Sequence, residues 1–278
     1  MYEAYWGLKR APFDNVPDPR FFYHAPGHDA ALVKLLYAVE RDVGAALLTG
    51  GFGSGKTFLV RALLASLPKE RHCIGFVANP LGTPGEVLWS ALAGLGAAEA
   101  PATREDCAVP AAEAALEEFV AAEAEAGRRV VLAVDDAHAI GSAEALEALR
   151  LLLSLKGEDA SFLKLLVVGE TALVERMRAC PGLEERIAVR GALDPLTAEE
   201  AKAYLLHRLE VAGAERGLFT ERAAEAIAAA SRGLPGRINT IADLALAAGF
   251  GASAPCVTPK IVASVVEEEA AGGGSGGG

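Results

Sequence analysis

Residues 47–60 constrain the fold more than any other stretch. Leu47, Leu48 and Thr49 enter a loop made of Gly50, Gly51, Phe52, Gly53, Ser54, Gly55, Lys56 and Thr57, and Phe58, Leu59 and Val60 resume the apolar run. The loop fits the spacing G-x-x-x-x-G-K-[ST] without a mismatch. Glycines let the main chain turn so that N–H groups line a concavity for phosphate oxygens. A helix opening near Lys56 adds the positive end of its dipole. The lysine ammonium adds a mobile charge for the outer phosphates, and the Thr57 hydroxyl is a ligand for Mg²⁺. A strand before and a helix after supply the context the motif needs. Gly50 through Phe58 are therefore expected to hold a nucleoside triphosphate, ATP, with Lys56 also in a catalytic part.

A second apolar run, Val130–Val134, ends in Asp135 and Asp136. This strand is expected to lie next to the loop strand, with Asp135 on the metal and Asp136 orienting the attacking water. The water-polarising acid of such enzymes is more often glutamate. Aspartate is one methylene shorter, and base catalysis needs heavy-atom contact at about 3 Å. Slow hydrolysis, unless a partner or an oligomer tightens the site, is the expectation.

Apolar runs alternate with helical patterns along the first two thirds of the chain, which predicts α/β layering. Strands are expected at 45–49, 73–78, 130–134, 162–168 and 187–193, and helices at 56–67, from Thr83 and Pro84 to Leu95, at 111–126 and after Ser142. Residues 101–110 read as a loop. After Asp194 and Pro195 the pattern becomes helical: Thr197 with Glu200 forms a capping box, and three more helices follow from about Thr220, Pro235 and Thr258. Four segments result: 1–40 packing at the nucleotide site, a core at 41–195, a helical lid at 196–270 and a flexible glycine-rich tail at 271–278.

Charge and cysteine usage narrow the function classes. The formal net charge is −11, and no segment holds a basic stripe, so nucleic acid is not an expected partner. The four widely spaced cysteines lack a CxxC pair, and the HxxxH pair His24 and His28 has no third histidine or cysteine near it in sequence, which predicts reduced thiols in a cytoplasmic protein and no zinc site. No run reaches the roughly 20 apolar residues of a membrane span.

The whole chain resembles the AAA+ ATPase domain of the general secretion pathway protein A family. Met1, Tyr2, Gly7, Leu8, Pro12, Phe13, Pro17, Asp18, Pro19, Tyr23, His28, Ala31 and Leu32 resemble its N-terminal signature. Residues 165–173 are similar to its sensor-1 strand, Glu184 to Ile187 and Leu193 to Glu200 to its junction into the lid, and Ser231 to Asn239 to its closing motif. The likeness covers roughly residues 1–265. It implies a P-loop NTPase of AAA+ type: a five-stranded parallel sheet core with a small C-terminal all-helical lid. It also implies Mg-ATP as ligand, a homo-oligomer, and an arginine given to a neighbour's γ-phosphate. Arg186 matches that position best and Arg190 second. Tyr23 and His28 fall where the family's N-terminal segment wraps the base. The work would be at the cell envelope, with a secretion-machinery protein as partner.

Three departures surround the nucleotide. The family's Asp-Glu-Ala-Gln is here Asp135, Asp136, Ala137 and His138. Its sensor-1 strand ends in glycine and a neutral polar residue, here Gly169 and Glu170. Its sensor-2 arginine follows the proline directly, whereas here Gly236 intervenes before Arg237. Two alternatives stand beside the energy-coupling ATPase: a DNA-associated regulator of transposition type, against which the acidic balance argues, and a nucleotide-gated switch with poor turnover.

Overall fold

A computed structural model of the chain describes residues 1–15, 18–41, 43–80, 82–97, 107–154 and 163–272. Pro17, Phe162, most of the loop expected over 101–110 and the tail from 273 lie outside the described residues. The strands are β1 (Ala45–Gly50), β2 (His72–Val77), β3 (Arg129–Val134), β4 (Leu163–Gly169) and β5 (Ile187–Leu193). The helices are α1 (Glu3–Trp6), α2 (Pro26–Glu40), α3 (Lys56–Ser66), α4 (Pro84–Leu95), α5 (Val109–Glu125), α6 (Ala143–Leu152), α7 (Ala172–Arg178), α8 (Pro181–Glu184), α9 (Ala198–Val211), α10 (Glu221–Ser231), α11 (Pro235–Gly251) and α12 (Pro259–Gly272). The chain forms two compact units: Pro26–Gly51 with Leu59–Leu193, and Met1–Ala25 with Phe52–Phe58 and the residues from Asp194 onward.

The first unit is built on a five-stranded sheet in the order β2-β3-β4-β1-β5, every pair parallel. The acidic strand β3 therefore does not lie next to the loop strand β1, as the sequence reading expected: β4 stands between them. All residues of β1 and β4 are buried, whereas the edge strands β2 and β5 carry half-exposed or exposed positions. A strand apolar on both faces needs neighbours on both sides and layers above and below. The order of motifs along the chain carries no information about which such strand fills the slot.

Alternate side chains of the sheet enter one core. Leu47, Leu132 and Leu165 pack with Leu88, Leu92, Leu116, Leu146 and Leu149 from α4, α5 and α6. Each fully buried leucine contributes roughly 1.5–3 kcal/mol relative to an exposed one. Thr83 begins α4 with a complete capping box, its hydroxyl accepting from the Glu86 amide while the Glu86 carboxylate accepts from Thr83 N–H at 2.6 Å. On the opposite face lies α2, a helix that the sequence reading did not assign. Gly191 of β5 gives it room, since a Cβ there would stand 3.2 Å from Leu48 and 3.6 Å from Ala31.

The second unit is helical, formed by α1 and α9–α12. The first residues of the chain are part of its core: Tyr2, Trp6, Phe13 and Phe21 are buried with Leu205, Leu209, Ile227, Ile238, Ile241 and Leu246. Polar contacts fasten the same strap. Trp6 Nε1 donates to Leu246 O at 3.1 Å, Tyr5 OH to Ala254 O at 2.7 Å, and Lys9 N–H to Ala212 O at 2.9 Å. Arg208, 3 % exposed, donates to Pro12 O at 2.5 Å, Asp14 O at 2.8 Å and Tyr204 OH at 2.9 Å, and its guanidinium lies over the Phe21 ring. Tyr204 OH in turn donates to Asn239, whose amide donates to Asn15 at 3.0 Å.

Candidate functional site

In a parallel sheet every strand ends on the same edge, and ligands bind beyond the carboxyl ends. The register fixes what meets there. Thr49 stands opposite Gly169 and Val134 opposite Val167, so the ends of β1, β4 and β3 are level to within a few residues. Gly50, Asp135, Asp136 and Glu170 all emerge on this edge.

Asp135 is 2 % exposed, and its amide continues the β2–β3 ladder by donating to Val77 O at 2.8 Å. Asp136 turns the chain at φ 48°, ψ 33°, a left-handed conformation that aspartate tolerates better than most residues. Its amide donates to the Asp135 carboxylate at 2.9 Å. A 3₁₀ turn, Ala137–Ala139, follows. His138 on this turn places Nδ1 3.8 Å from the Asp136 carboxylate and Nε2 3.8 Å from the Glu170 carboxylate. The Glu170 amide donates to Nδ1 in a long 3.4 Å hydrogen bond. Arg176 of α7 clamps the turn, donating to His138 O at 2.5 Å and to Ile140 O. Two of the departures from the family pattern, His138 and Glu170, thus contact each other.

The loop segment from Phe52 belongs with the helical unit. Gly53 and Gly55 adopt φ 73° and φ 94°, values that only glycine takes readily, and Lys56 opens α3. Lys56 and Ser54 are buried, while Phe52 is 86 % exposed. Gly236 of α11 comes against Gly53: its amide donates to Gly53 O at 2.9 Å. Phe58 stacks on Phe22, ring centroids 5.9 Å apart and planes 7° from parallel. Phe22 escaped the sequence reading; the aromatic run at residues 21–24, just after Asp18, Pro19 and Arg20, was the available signal.

Arg237 is half-exposed and sits 3.7 Å from the Glu269 carboxylate of α12. Tyr23 packs in the helical unit on Tyr204 and His207, with centroids 5.9 and 5.6 Å away. His28 is buried in the first turn of α2 in the sheet unit. Arg186 precedes β5, whose first residue Ile187 stands opposite Ala45, the first of β1. It is therefore at the amino edge, about 17 Å of strand away from Gly50. There its guanidinium donates to Ser154 Oγ at 3.2 Å, and Arg190 is paired with Glu184 at 2.7 Å.

The AAA domain family matches residues 39–177, half of the chain. This chain belongs to the AAA domain family. The chain is 34 % identical over 253 residues to general secretion pathway protein A of Aeromonas hydrophila, spanning 90 % of this chain and 45 % of that protein. The resemblance read from the N-terminal and lid segments is thus shown, and the chain spans under half the length of that relative. Among solved structures, the ORC2 protein of Aeropyrum pernix, in ADPNP and ADP complexes, superposes with a TM-score of 0.69 at 17 % identity, covering 94 % of this chain and 72 % of that one. The Cdc6p protein of Pyrobaculum aerophilum gives 0.70 at 18 % identity, covering 92 % and 70 %. At such identities the AAA domain shares the fold of these proteins. Among the described residues, no helix is long and apolar enough to cross a membrane, and no group of three or more His, Cys, Asp or Glu could hold a metal by itself.

Proposed function

We propose that this AAA domain binds Mg-ATP and hydrolyses it to drive conformational change or assembly within a homo-oligomer. The observation that carries the reading is the loop itself: every position of the phosphate-binding pattern from Gly50 to Thr57 is filled, two of its glycines hold positive φ, and Lys56 begins a helix. Main-chain amides from Gly50 to Phe58 and the Lys56 ammonium would bind the phosphates. Thr57 and Asp135 are hard oxygen donors, the ligand type that suits Mg²⁺, which when bound would neutralise charge on the outer phosphates. Asp136 would orient the attacking water. Arg237 would reach the nucleotide after leaving Glu269, and Arg186 would serve a neighbouring copy.

The likeness to general secretion pathway protein A supports a role beside secretion machinery on the cytoplasmic side of the inner membrane. A net charge of −11 favours a protein partner over duplex DNA. A second reading, a nucleotide-gated switch with poor turnover, is favoured by the short, left-handed Asp136 and by the Glu170 carboxylate on the same edge.

Affinity and turnover measured separately test both. Lys56→Ala is expected to abolish saturable binding of Mg-ATP. Asp136→Asn is expected to keep binding and lose turnover by a factor of about 10² or more, the usual worth of a general base. Lysine-independent binding would sink the ATP reading. Wild-type protein that binds without measurable hydrolysis would leave the switch.

A further inference from the structure

We propose that His138 is a positioning residue for the phosphate end of this site: it holds the Glu170 carboxylate away from a bound triphosphate. The glutamate at the end of β4 is tolerated there through this histidine. The inference rests on the ATP-binding reading above.

The sheet order makes Glu170 a neighbour of the loop. Because β4 lies between β1 and β3, and Thr49 is level with Gly169, the residue after Gly169 emerges level with Gly50, the first glycine of the phosphate motif. On its other side are Asp135 and Asp136. Three carboxylates thus share one edge with the start of a loop shaped for anions. A carboxylate free to turn toward phosphate would weaken triphosphate binding by like-charge repulsion, and more for ATP than for ADP.

His138 opposes that turn in two ways. Its Nε2 faces the Glu170 carboxylate at 3.8 Å, and its Nδ1 accepts from the Glu170 amide, so one ring lies against both the side chain and the main chain of Glu170. An amide can only donate, so in the neutral ring the proton sits on Nε2, on the carboxylate's side. The turn that carries the ring is braced: Arg176 fastens it from α7, and Gly169 allows its close approach, since a Cβ there would stand 3.2 Å from the His138 main-chain nitrogen. The charged groups facing the ring are Asp136, Glu170 and Arg176.

The test is a double-mutant cycle on His138→Gln and Glu170→Gln, with wild type and Lys56→Ala as controls. Calorimetry gives affinities for Mg-ATPγS and Mg-ADP, and melting of the nucleotide-free proteins checks folding. His138→Gln is expected to weaken ATPγS at least fivefold with little change for ADP. Adding Glu170→Gln should return ATPγS to within twofold of wild type, and Glu170→Gln alone should bind as well as wild type. Turnover at saturating ATP should follow the same rescue. Independent effects of the two substitutions, equal losses for ATPγS and ADP, or a fivefold loss from Glu170→Gln alone would each overturn the proposal. Wild type failing to bind ATPγS, or Lys56→Ala binding like wild type, would remove the ATP reading and the inference with it. Sound controls without coupling would remove the inference alone.

Discussion

The amide of Gly236 donates a 2.9 Å hydrogen bond to the carbonyl oxygen of Gly53, joining the first turn of α11 to the phosphate loop main chain to main chain. A Cβ at position 236 would stand 3.1 Å from Gly53 Cα, against backbone that cannot swing aside. Overpacking of this kind costs about 1–3 kcal/mol. Spent on a displaced loop, that is roughly a fivefold or greater loss of nucleotide affinity. Gly236→Ala is expected to show it in a Mg-ATP titration. Thermal melting is the wrong readout, because alanine improves the helix by up to about 1 kcal/mol. Unchanged affinity would show that the loop does not need this seat.

Arg208 holds the N-terminal strap by two hydrogen bonds from a buried guanidinium, which gives a third to Tyr204 OH. Arg208→Ala leaves two carbonyls and a tyrosine oxygen short of a donor, and hydrogen bonds to a charged group are worth about 1.5–3 kcal/mol each. A loss of roughly 3 kcal/mol or more in urea unfolding is expected, with the slope unchanged. Arg208→Lys, which keeps the charge but not the planar fork, should recover only part. A loss below about 1 kcal/mol for the alanine variant would mean that packing alone fastens the strap.

Burial pushes the His207 imidazole below its ordinary range, beside Tyr23 in the helical unit. The unfolded chain then takes up the proton more readily than the folded one. Stability therefore rises with pH in this window: it is fully present above the unfolded value of about 6.5 and is lost as pH falls through the folded value. His207→Gln should flatten the pH dependence of the denaturation midpoint between about pH 7 and 5. An unaltered slope would assign the acid sensitivity to other groups.

Arg186 lies at the amino edge of the sheet, whereas the acidic motif lies at the carboxyl edge. An arginine so placed cannot serve the strand ends of its own subunit. Arg186→Ala and Lys56→Ala proteins, each inactive alone, are expected to regain hydrolysis when mixed, because a mixed interface pairs an intact loop with an intact arginine. Normal hydrolysis by Arg186→Ala on its own would dismiss the assignment.

Much of this architecture is written locally. The apolar runs at Leu47, Val131 and Leu166 became strands, and Thr83 and Thr197 cap the helices their spacing announced, because caps and periodicity act within a few residues. Strand order is decided elsewhere. β3 and β4 carry equally apolar residues, and nothing in either says which pairs with β1. The same holds at the candidate site. The glycines and Lys56 were legible as a motif, and Glu170 was legible as an anomaly. That His138 answers Glu170 across 32 positions, or that Gly236 meets Gly53, depends on pairings that only the folded chain supplies.

The bond from the Trp6 indole to Leu246 spans 240 positions. At synthesis rates of about 5–20 residues per second, the indole leaves the ribosome on the order of ten seconds to a minute before its acceptor exists. The sheet unit ends at Leu193, so all of it has been made while the leading strap still waits. Until the last helices arrive, Tyr2, Trp6 and Phe13 are bare apolar surface, a natural handle for a chaperone during translation.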